Sequence, residues 1–268
     1  MNEAPIGIFD SGFGGLSVWK ECKALLPNEQ FIYIADQAYC PYGPKSQDAI
    51  LQRARELSQY FLKKGAKLII IACNTATAAA IKYLREEFDI PFVGMEPAIK
   101  PAALDSQTGH IGILATQGTF AGQHFQNTRE KFAQGVELHI QVGEGLVELV
   151  ESGKIDGPEC LAVLAPYLLP MKAKGIDQLV LGCTHYPFLS KAISAILGEG
   201  VKLIDPAPAV ARQLHNVLEG GNILSKRQIR AVDIFYTSGS LISGQKSLNK
   251  LEVILGMSIN LSHLSLED

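Results

Sequence analysis

Short apolar runs alternate with amphipathic stretches along nearly the whole chain. "IGIFD" (Ile6–Asp10) reads as a strand that ends in a glycine-rich turn, "SGFGG", with a helix from about Leu16. "FIYIAD" (Phe31–Asp36) reads as the next strand. "SQDAILQRARELSQYFLKKG" carries a helical stripe at Ile50, Ala54, Leu57 and Phe61, with Ser46 placed to cap its start and Gly65 to stop it. "KLIIIA" is unbroken Leu and Ile, the pattern of a parallel strand covered by helices on both faces. A helix starts again at Asn74/Thr75.

Further strands are predicted at His110–Leu114, Val136–Val142, Gln178–Leu181, Val201–Ile204 and Asp233–Tyr236. Helices are predicted around Thr119–Phe132, Leu146–Glu151, Pro158–Lys174, Pro187–Leu197 and Pro208–Leu218. The alternation argues for an α/β fold with parallel sheets. A faint repeat sharpens this. "IGIFDSG" at Ile6 matches "IGILATQG" at Ile111, and a cysteine-bearing strand end follows each at nearly the same distance, at Cys73 and Cys183. The prediction is two similar α/β domains, their central parallel sheets facing across one cleft. The first is 1–97 with 208–268 and the second is 98–207.

Composition removes several alternatives. The chain has 268 residues, 47% of them hydrophobic, enough for one large core or two small ones. The net charge is −3, and no basic block tracks along the chain, so no nucleic-acid partner is expected. The start, "MNEAPIGIFD", lacks the basic n-region of a secretory signal. The apolar runs are too short to span a bilayer, which predicts no membrane association and a cytoplasmic location. Five cysteines with no CxxC pair do not form a disulfide framework.

Candidate chemistry falls at the carboxyl ends of strands, where open α/β sheets bind ligands. Asp10-Ser11, Cys73-Asn74-Thr75, Ala115-Thr116 and Cys183-Thr184-His185 all lie there. A free cysteine is most often inert packing, and Cys22 and Cys160, within helical patterns, fit that reading. Cys73 and Cys183 instead precede polar residues at strand-to-helix turns. A helix N-terminus favours the thiolate and lowers a thiol pKa from about 8.5 to roughly 3.5–7.5. Two rivals stay open on the residues alone: a zinc site built from Cys73, Cys183, His185 and Asp10, and a redox disulfide between the two cysteines. Asp10 is equally suited to capping the helix after the turn. His185, beside Cys183, is a candidate acid–base group or a structural hydrogen-bonding histidine.

Two thiols on opposite sides of a small acid would invert its α-carbon, one removing a proton and the other returning one. Approach distances of about 3–3.5 Å on each side put the sulfurs roughly 7 Å apart, too far for a disulfide without movement. Hydroxyls of Ser11, Thr75, Thr116 and Thr184 would hold carboxylate oxygens, because no lysine or arginine lies within these motifs.

"GIFDSGFGGL", "PYG" (Pro41–Gly43), "ACNTA", "ILATQGT", "GCTHYP" and "FYTSG" (235–239), in this order, resemble the glutamate racemases of the cofactor-independent Asp/Glu racemase superfamily. The resemblance implies interconversion of L- and D-glutamate for peptidoglycan, without pyridoxal phosphate, metal or flavin, and assembly as a homodimer. It implies that Cys73 deprotonates D-glutamate with help from Asp10, and Cys183 deprotonates L-glutamate with help from His185. Glu151, before Ser-Gly, matches a further site residue. Substrate contacts are implied for Asp10, Ser11, Tyr42, Gly43, Asn74, Thr75, Thr116, Thr184 and His185. Cys40, just before "PYG", departs from the pattern and reads as a tolerated small residue or a third oxidisable thiol. The first strand begins almost at once, so the extension of relatives that respond to a cell-wall precursor is not expected.

Overall fold

In a computed structural model of the chain, residues 2–266 are described. The first stretch runs β1 (Ile6–Asp10), α1 (Leu16–Leu25), β2 (Phe31–Ala35), α2 (Gln47–Lys63), β3 (Leu68–Ile71), α3 (Asn74–Glu87) and β4 (Phe92–Gly94). The chain then makes α4 (Ile99–Asp105), β5 (His110–Ala115), α5 (Gln117–Ala121), α6 (Gln123–Phe132), β6 (Glu137–Val142), α7 (Leu146–Glu151), α8 (Gly157–Ala173), β7 (Gln178–Gly182), α9 (Ser190–Leu197) and β8 (Lys202–Ile204). It closes with α10 (Ala207–Gly220), β9 (Ile234–Thr237), α11 (Leu241–Leu255) and β10 (Leu261–His263).

These strands form two sheets. One has six strands in the order β10-β9-β2-β1-β3-β4, the other four in the order β6-β5-β7-β8, and each pairing is parallel. The order β2-β1-β3-β4 in the first is the order β6-β5-β7-β8 in the second, so the matched sequence segments occupy matched central strands. The fold is α/β, as the alternation predicts.

The unbroken apolar strands follow from burial on both faces. Ile69 and Ile71 pack in one hydrophobic cluster with Phe61 and Leu57 of α2, while Ile70 packs in another with Ile8 and Trp19. Each such side chain contributes about 1.5–3 kcal/mol on leaving water. The helix over the outer face ends as its residues dictate. Ser46 Oγ accepts from the Ala49 amide at 3.3 Å, and Gly65 takes the left-handed φ of 73° that an L side chain resists.

Three predictions need correction. The helix read as Thr119–Phe132 is two helices, α5 and α6, separated at Gly122. A Cβ on Gly122 would stand 2.6 Å from the Ala78 Cβ of α3, so the break lets the chain press against that helix. The helix read as Pro187–Leu197 opens with a 3-10 turn, Tyr186–Leu189, before α9 begins. Finally, β4, α4, α11 and β10 stand where the pattern shows no element. β4 and β10 have three residues each, too few for a period, and α11 leaves Ile242 and Val253 at 86% exposure, which blurs its stripe.

A buried ion pair fixes the segment after β2. Arg53 of α2 donates to both oxygens of Asp36, Nη2 to Oδ1 at 2.7 Å and Nε to Oδ2 at 2.9 Å. Tyr42 and Ser238 hydroxyls also donate to Asp36, at 2.6 and 2.7 Å. Removing one partner strands a buried charge. Arg53→Met is therefore expected to lower the unfolding free energy by about 3–5 kcal/mol, measured by urea denaturation at neutral pH. A loss within experimental error would show that the pair does not anchor this segment.

Candidate active site

The glycine turn after β1 is shaped by side chains that come from the other sheet. A Cβ on Gly12 would overlap the Glu151 carboxylate, and one on Gly14 would overlap the His185 ring. Only glycine lets the turn lie this close to both groups. The Phe13 amide then donates to Glu151 Oε1 at 2.6 Å. Asp10, the last residue of β1, is fully buried, and its Oδ2 accepts from the Gly15 and Gly12 amides at 3.0 and 3.3 Å. It does cap the turn, and it also faces the opposite sheet, where Thr184 Oγ1 lies 3.5 Å from Oδ1.

His185 and Glu151 form a buried pair. His185 Nε2 is 2.7 Å from Glu151 Oε1, and His185 Nδ1 is 3.7 Å from Cys183 Sγ. Burial lowers the histidine pKa, but hydrogen bonds that the ring donates to Cys183, Cys40 and Glu151, with the charge of Asp10, outweigh it and hold the value well above 6.5. Burial raises Glu151, yet the His185 bond and charge, the Phe13 amide and Gln37 hold it below the usual carboxylate range. The two shifts run in opposite directions, and each favours the charged form of its group.

The second oxygen of Glu151 is also occupied. Gln37 Nε2 donates to Oε2 at 2.8 Å, and the buried Thr237 hydroxyl donates to Gln37 Oε1 at 2.8 Å. Neither residue was read from the sequence as part of the site. The signal available was Thr237 itself, inside the "FYTSG" segment.

Cys73 caps α3, its Sγ accepting from the Ala76 amide at 3.5 Å. The expectation of a lowered pKa is corrected here. Burial, then the negative charge of Asp10, push the Cys73 thiol well above 9.0, and the Ala76 amide offsets only part of this. A helix N-terminus cannot replace the water that a buried thiolate loses. Cys73 and Cys183 are only 5% and 7% exposed, and all five cysteines are free. Burial raises Asp10 too, against the opposing charge of His185.

Around the thiols, Asn74 is buried, and its Oδ1 has no hydrogen-bond partner. Thr75 Oγ1 and Thr116 Oγ1 meet at 2.8 Å, joining the two halves of the cleft, and Thr119 Oγ1 lies 2.9 Å from Thr116. Gly43 lies against Thr116, and Ser11 Oγ is 4.0 Å from Cys40 Sγ. The Tyr42 hydroxyl is committed to Asp36, and its ring is buried in the core of the first sheet. Cys40 is half-buried, its thiol pushed up to about 11, chiefly by burial. Asp10, Cys73, Glu151, Cys183, Thr184 and His185 are thus in one place, with Ser11, Gly43, Asn74, Thr75 and Thr116 around them.

Two cavities border this cluster, one at Gly43 and Thr116 and one at Glu151, and neither is lined by Cys73 or Cys183. One, of about 210 Å³, is lined by Pro41, Gly43, Thr116, Gln117 and Glu148; the other, of about 380 Å³, by Gln37, Cys40, Glu148 and Glu151. A larger one of about 610 Å³, lined by Lys100, Phe132, Asp205 and Arg212, contains none of these residues. The zinc quartet considered from sequence does not converge. Among the described residues, the ligand atoms that gather here are those of Cys40, Glu151 and His185. No helix among the described residues is long and apolar enough to cross a membrane.

The sequence profile of the Asp/Glu/Hydantoin racemase family matches residues 6–214. A glutamate racemase from Herpetosiphon aurantiacus is 43% identical over 253 residues, covering 94% of this chain and 100% of the relative. The crystal structure of glutamate racemase from Francisella tularensis in complex with D-glutamate aligns at a TM-score of 0.84 with 31% identity, covering 100% of this chain and 99% of that chain. That of Escherichia coli glutamate racemase, in complex with L-glutamate and the activator UDP-MurNAc-ala, aligns at 0.84 with 32% identity over 97% and 98% of the two chains.

The His185–Glu151 pair ties stability to pH. Glu151 is lowered from 4.5, so its contribution is whole above about pH 4.5 and is lost as pH falls through its folded value. His185 is raised from 6.5, so its contribution is whole below about pH 6.5 and is lost as pH rises through its folded value. Glu151→Gln is expected to cost about 2–3 kcal/mol between those limits. Urea midpoints of both proteins across pH should converge in acid; a gap that persists there would contradict the pair.

Proposed function

The chain belongs to the Asp/Glu/Hydantoin racemase family, and on that premise we propose that it interconverts L- and D-glutamate by proton transfer at Cα between Cys73 and Cys183. The observation that carries this reading is the matched placement of two buried thiols. Cys73 follows β3 and Cys183 follows β7, equivalent strands of the two sheets, and each has its own acid–base neighbour. Asp10 serves Cys73, and His185 with Glu151 serves Cys183.

In the direction from D-glutamate, the Cys73 thiolate takes the Cα proton and becomes a thiol. The electron pair left on Cα delocalises into the α-carboxylate. The Cys183 thiol then gives its proton to the opposite face and is left as a thiolate. No proton is gained or lost in the exchange, and the reverse reaction uses the same groups in reversed roles. Burial opposes a Cys73 thiolate, so the substrate itself must help form it. Its ammonium group, seated by the unpartnered Asn74 Oδ1 and the Asp10 carboxyl, brings a positive charge beside the sulfurs. Carboxylate oxygens are held by neutral donors: the hydroxyls of Ser11, Thr75, Thr116 and Thr184 and the backbone around Tyr42 and Gly43. The acid–base work is assigned wholly to side chains, with no metal, flavin or pyridoxal phosphate in the proposed path.

The reading extends to setting. Residues 1–97 with 208–268 form one domain and 98–207 the other, a division supported by which strands share a sheet. The D-glutamate made would feed peptidoglycan synthesis in the cytoplasm. A homodimer is supported by the exposed Ile242 and Val253 of α11.

Deuterium wash-in at Cα tests the reaction. Both enantiomers of glutamate should take up solvent deuterium without added cofactor. Cys73→Ala and Cys183→Ala should each slow racemisation by about 10²–10⁴-fold or more. Two variants that racemise at the wild-type rate would end the two-thiol reading. Asn74→Ala should raise KM for both enantiomers more than it lowers kcat, measured from the same progress curves.

A further inference from the structure

Away from the cleft, three ligand-type side chains gather on one face of the smaller sheet. The parallel register sets His110 beside Glu137 and Gly112 beside His139. Alternation along each strand puts all four on the same face. His110 Nδ1 lies 3.1 Å from His139 Nε2, with the rings stacked at 5.3 Å between centroids. Glu137 closes the triangle, with Oε2 3.6 Å from His110 Nδ1 and Oε1 3.8 Å from His139 Nε2.

We propose that His110, Glu137 and His139 form a binding site for a divalent transition-metal ion of the zinc type, separate from the racemase chemistry. Zinc bonds of about 2.0–2.2 Å in tetrahedral geometry hold neighbouring donor atoms about 3.3–3.6 Å apart. The two ring nitrogens lie 3.1 Å apart, and the Glu137 oxygens lie 3.6 Å from one and 3.8 Å from the other, so a small turn of the carboxylate brings one oxygen into range of both. An ion between the two rings replaces the single shared proton of their hydrogen bond, and Glu137 offsets part of its charge. Two imidazoles and one carboxylate suit zinc, nickel or copper and not magnesium or calcium, which take oxygen donors. The side chains of His110 and Glu137 are 38% and 64% exposed, so the ion enters from solvent and keeps water in its fourth position.

The site joins β5 to β6, the edge strand of its sheet. Residues 143–145 connect β6 to α7, and α7 ends at Glu151. The ion thus ties down the strand that leads to the Glu151 carboxylate, at the other end of the sheet. It acts as a staple on this edge and takes no part in proton transfer.

Cobalt(II) titration of the purified full chain tests the assignment, because cobalt reports its donors. A nitrogen–oxygen site gives weak d–d bands, whereas the cluster at Cys40, Glu151 and His185 would add intense thiolate charge transfer. The expected result is one equivalent bound without charge transfer. Zinc at about a hundredfold over its Kd should raise the thermal midpoint by about 5 °C. His110→Ala with His139→Ala should abolish both effects. Glu137→Gln, at an exposed position, should weaken binding about tenfold and leave the metal-free midpoint unchanged. Metal-free variants should racemise glutamate like the wild type, which separates this site from the racemase reading. The proposal is overturned if the wild type binds no cobalt, if only charge-transfer species form, or if the double variant binds as the wild type does.

Discussion

The bond between His185 and Glu151 is the constraint around which the cleft is arranged. An imidazolium and a carboxylate that leave water together are costly unless every remaining hydrogen-bonding position is filled. Here they are filled from the other sheet. The Phe13 amide and Gln37 satisfy the carboxylate, and Thr237 in turn orients Gln37. This demand explains the composition of the turn after β1. Side chains at positions 12 and 14 would strike the pair, so the turn must be glycine there. Ser17 adds a further tie, donating to the Thr184 carbonyl at 3.1 Å. One buried charge pair thus holds the end of β1 against the segment after β7.

Much of this was legible from sequence for a physical reason. Strands buried on both faces must be apolar throughout, so "KLIIIA" and "LVLG" marked themselves, and the polar residues that follow had to lie at their carboxyl ends. Parallel sheets bring those ends together, which is why Asp10, Cys73, Thr116 and Cys183 could be grouped without coordinates. The repeat at Ile6 and Ile111 predicted equivalent strands, and β1 and β5 hold the same place in their sheets.

What escaped depends on contacts that no local pattern encodes. Gln37 and Thr237 come together because β2 and β9 are neighbours, a pairing across two hundred positions of chain. Gly122 reads as a tolerated helix glycine until Ala78 is seen against it. β10 has neither alternation nor an apolar run, and it exists because β9 offers it an edge. The helix start at Cys73 is visible in sequence and its desolvation is not. The desolvation is the larger effect.

The two halves share a strand order but not an electrostatic environment. Cys73 stands beside Asp10, whose own pKa burial raises, and the negative charge of that carboxylate works against the thiolate. Cys183 stands beside His185, whose charge Glu151 sustains. Cys183 therefore has a neighbour whose cationic form the site favours, and Cys73 has a carboxylate instead. In the proposed reaction the missing charge is supplied by the substrate ammonium, which reaches Cys73 only when glutamate is bound. In the empty cleft, burial and the Asp10 charge disfavour a thiolate at Cys73, and in the proposed reaction bound glutamate offsets that disadvantage from the substrate side.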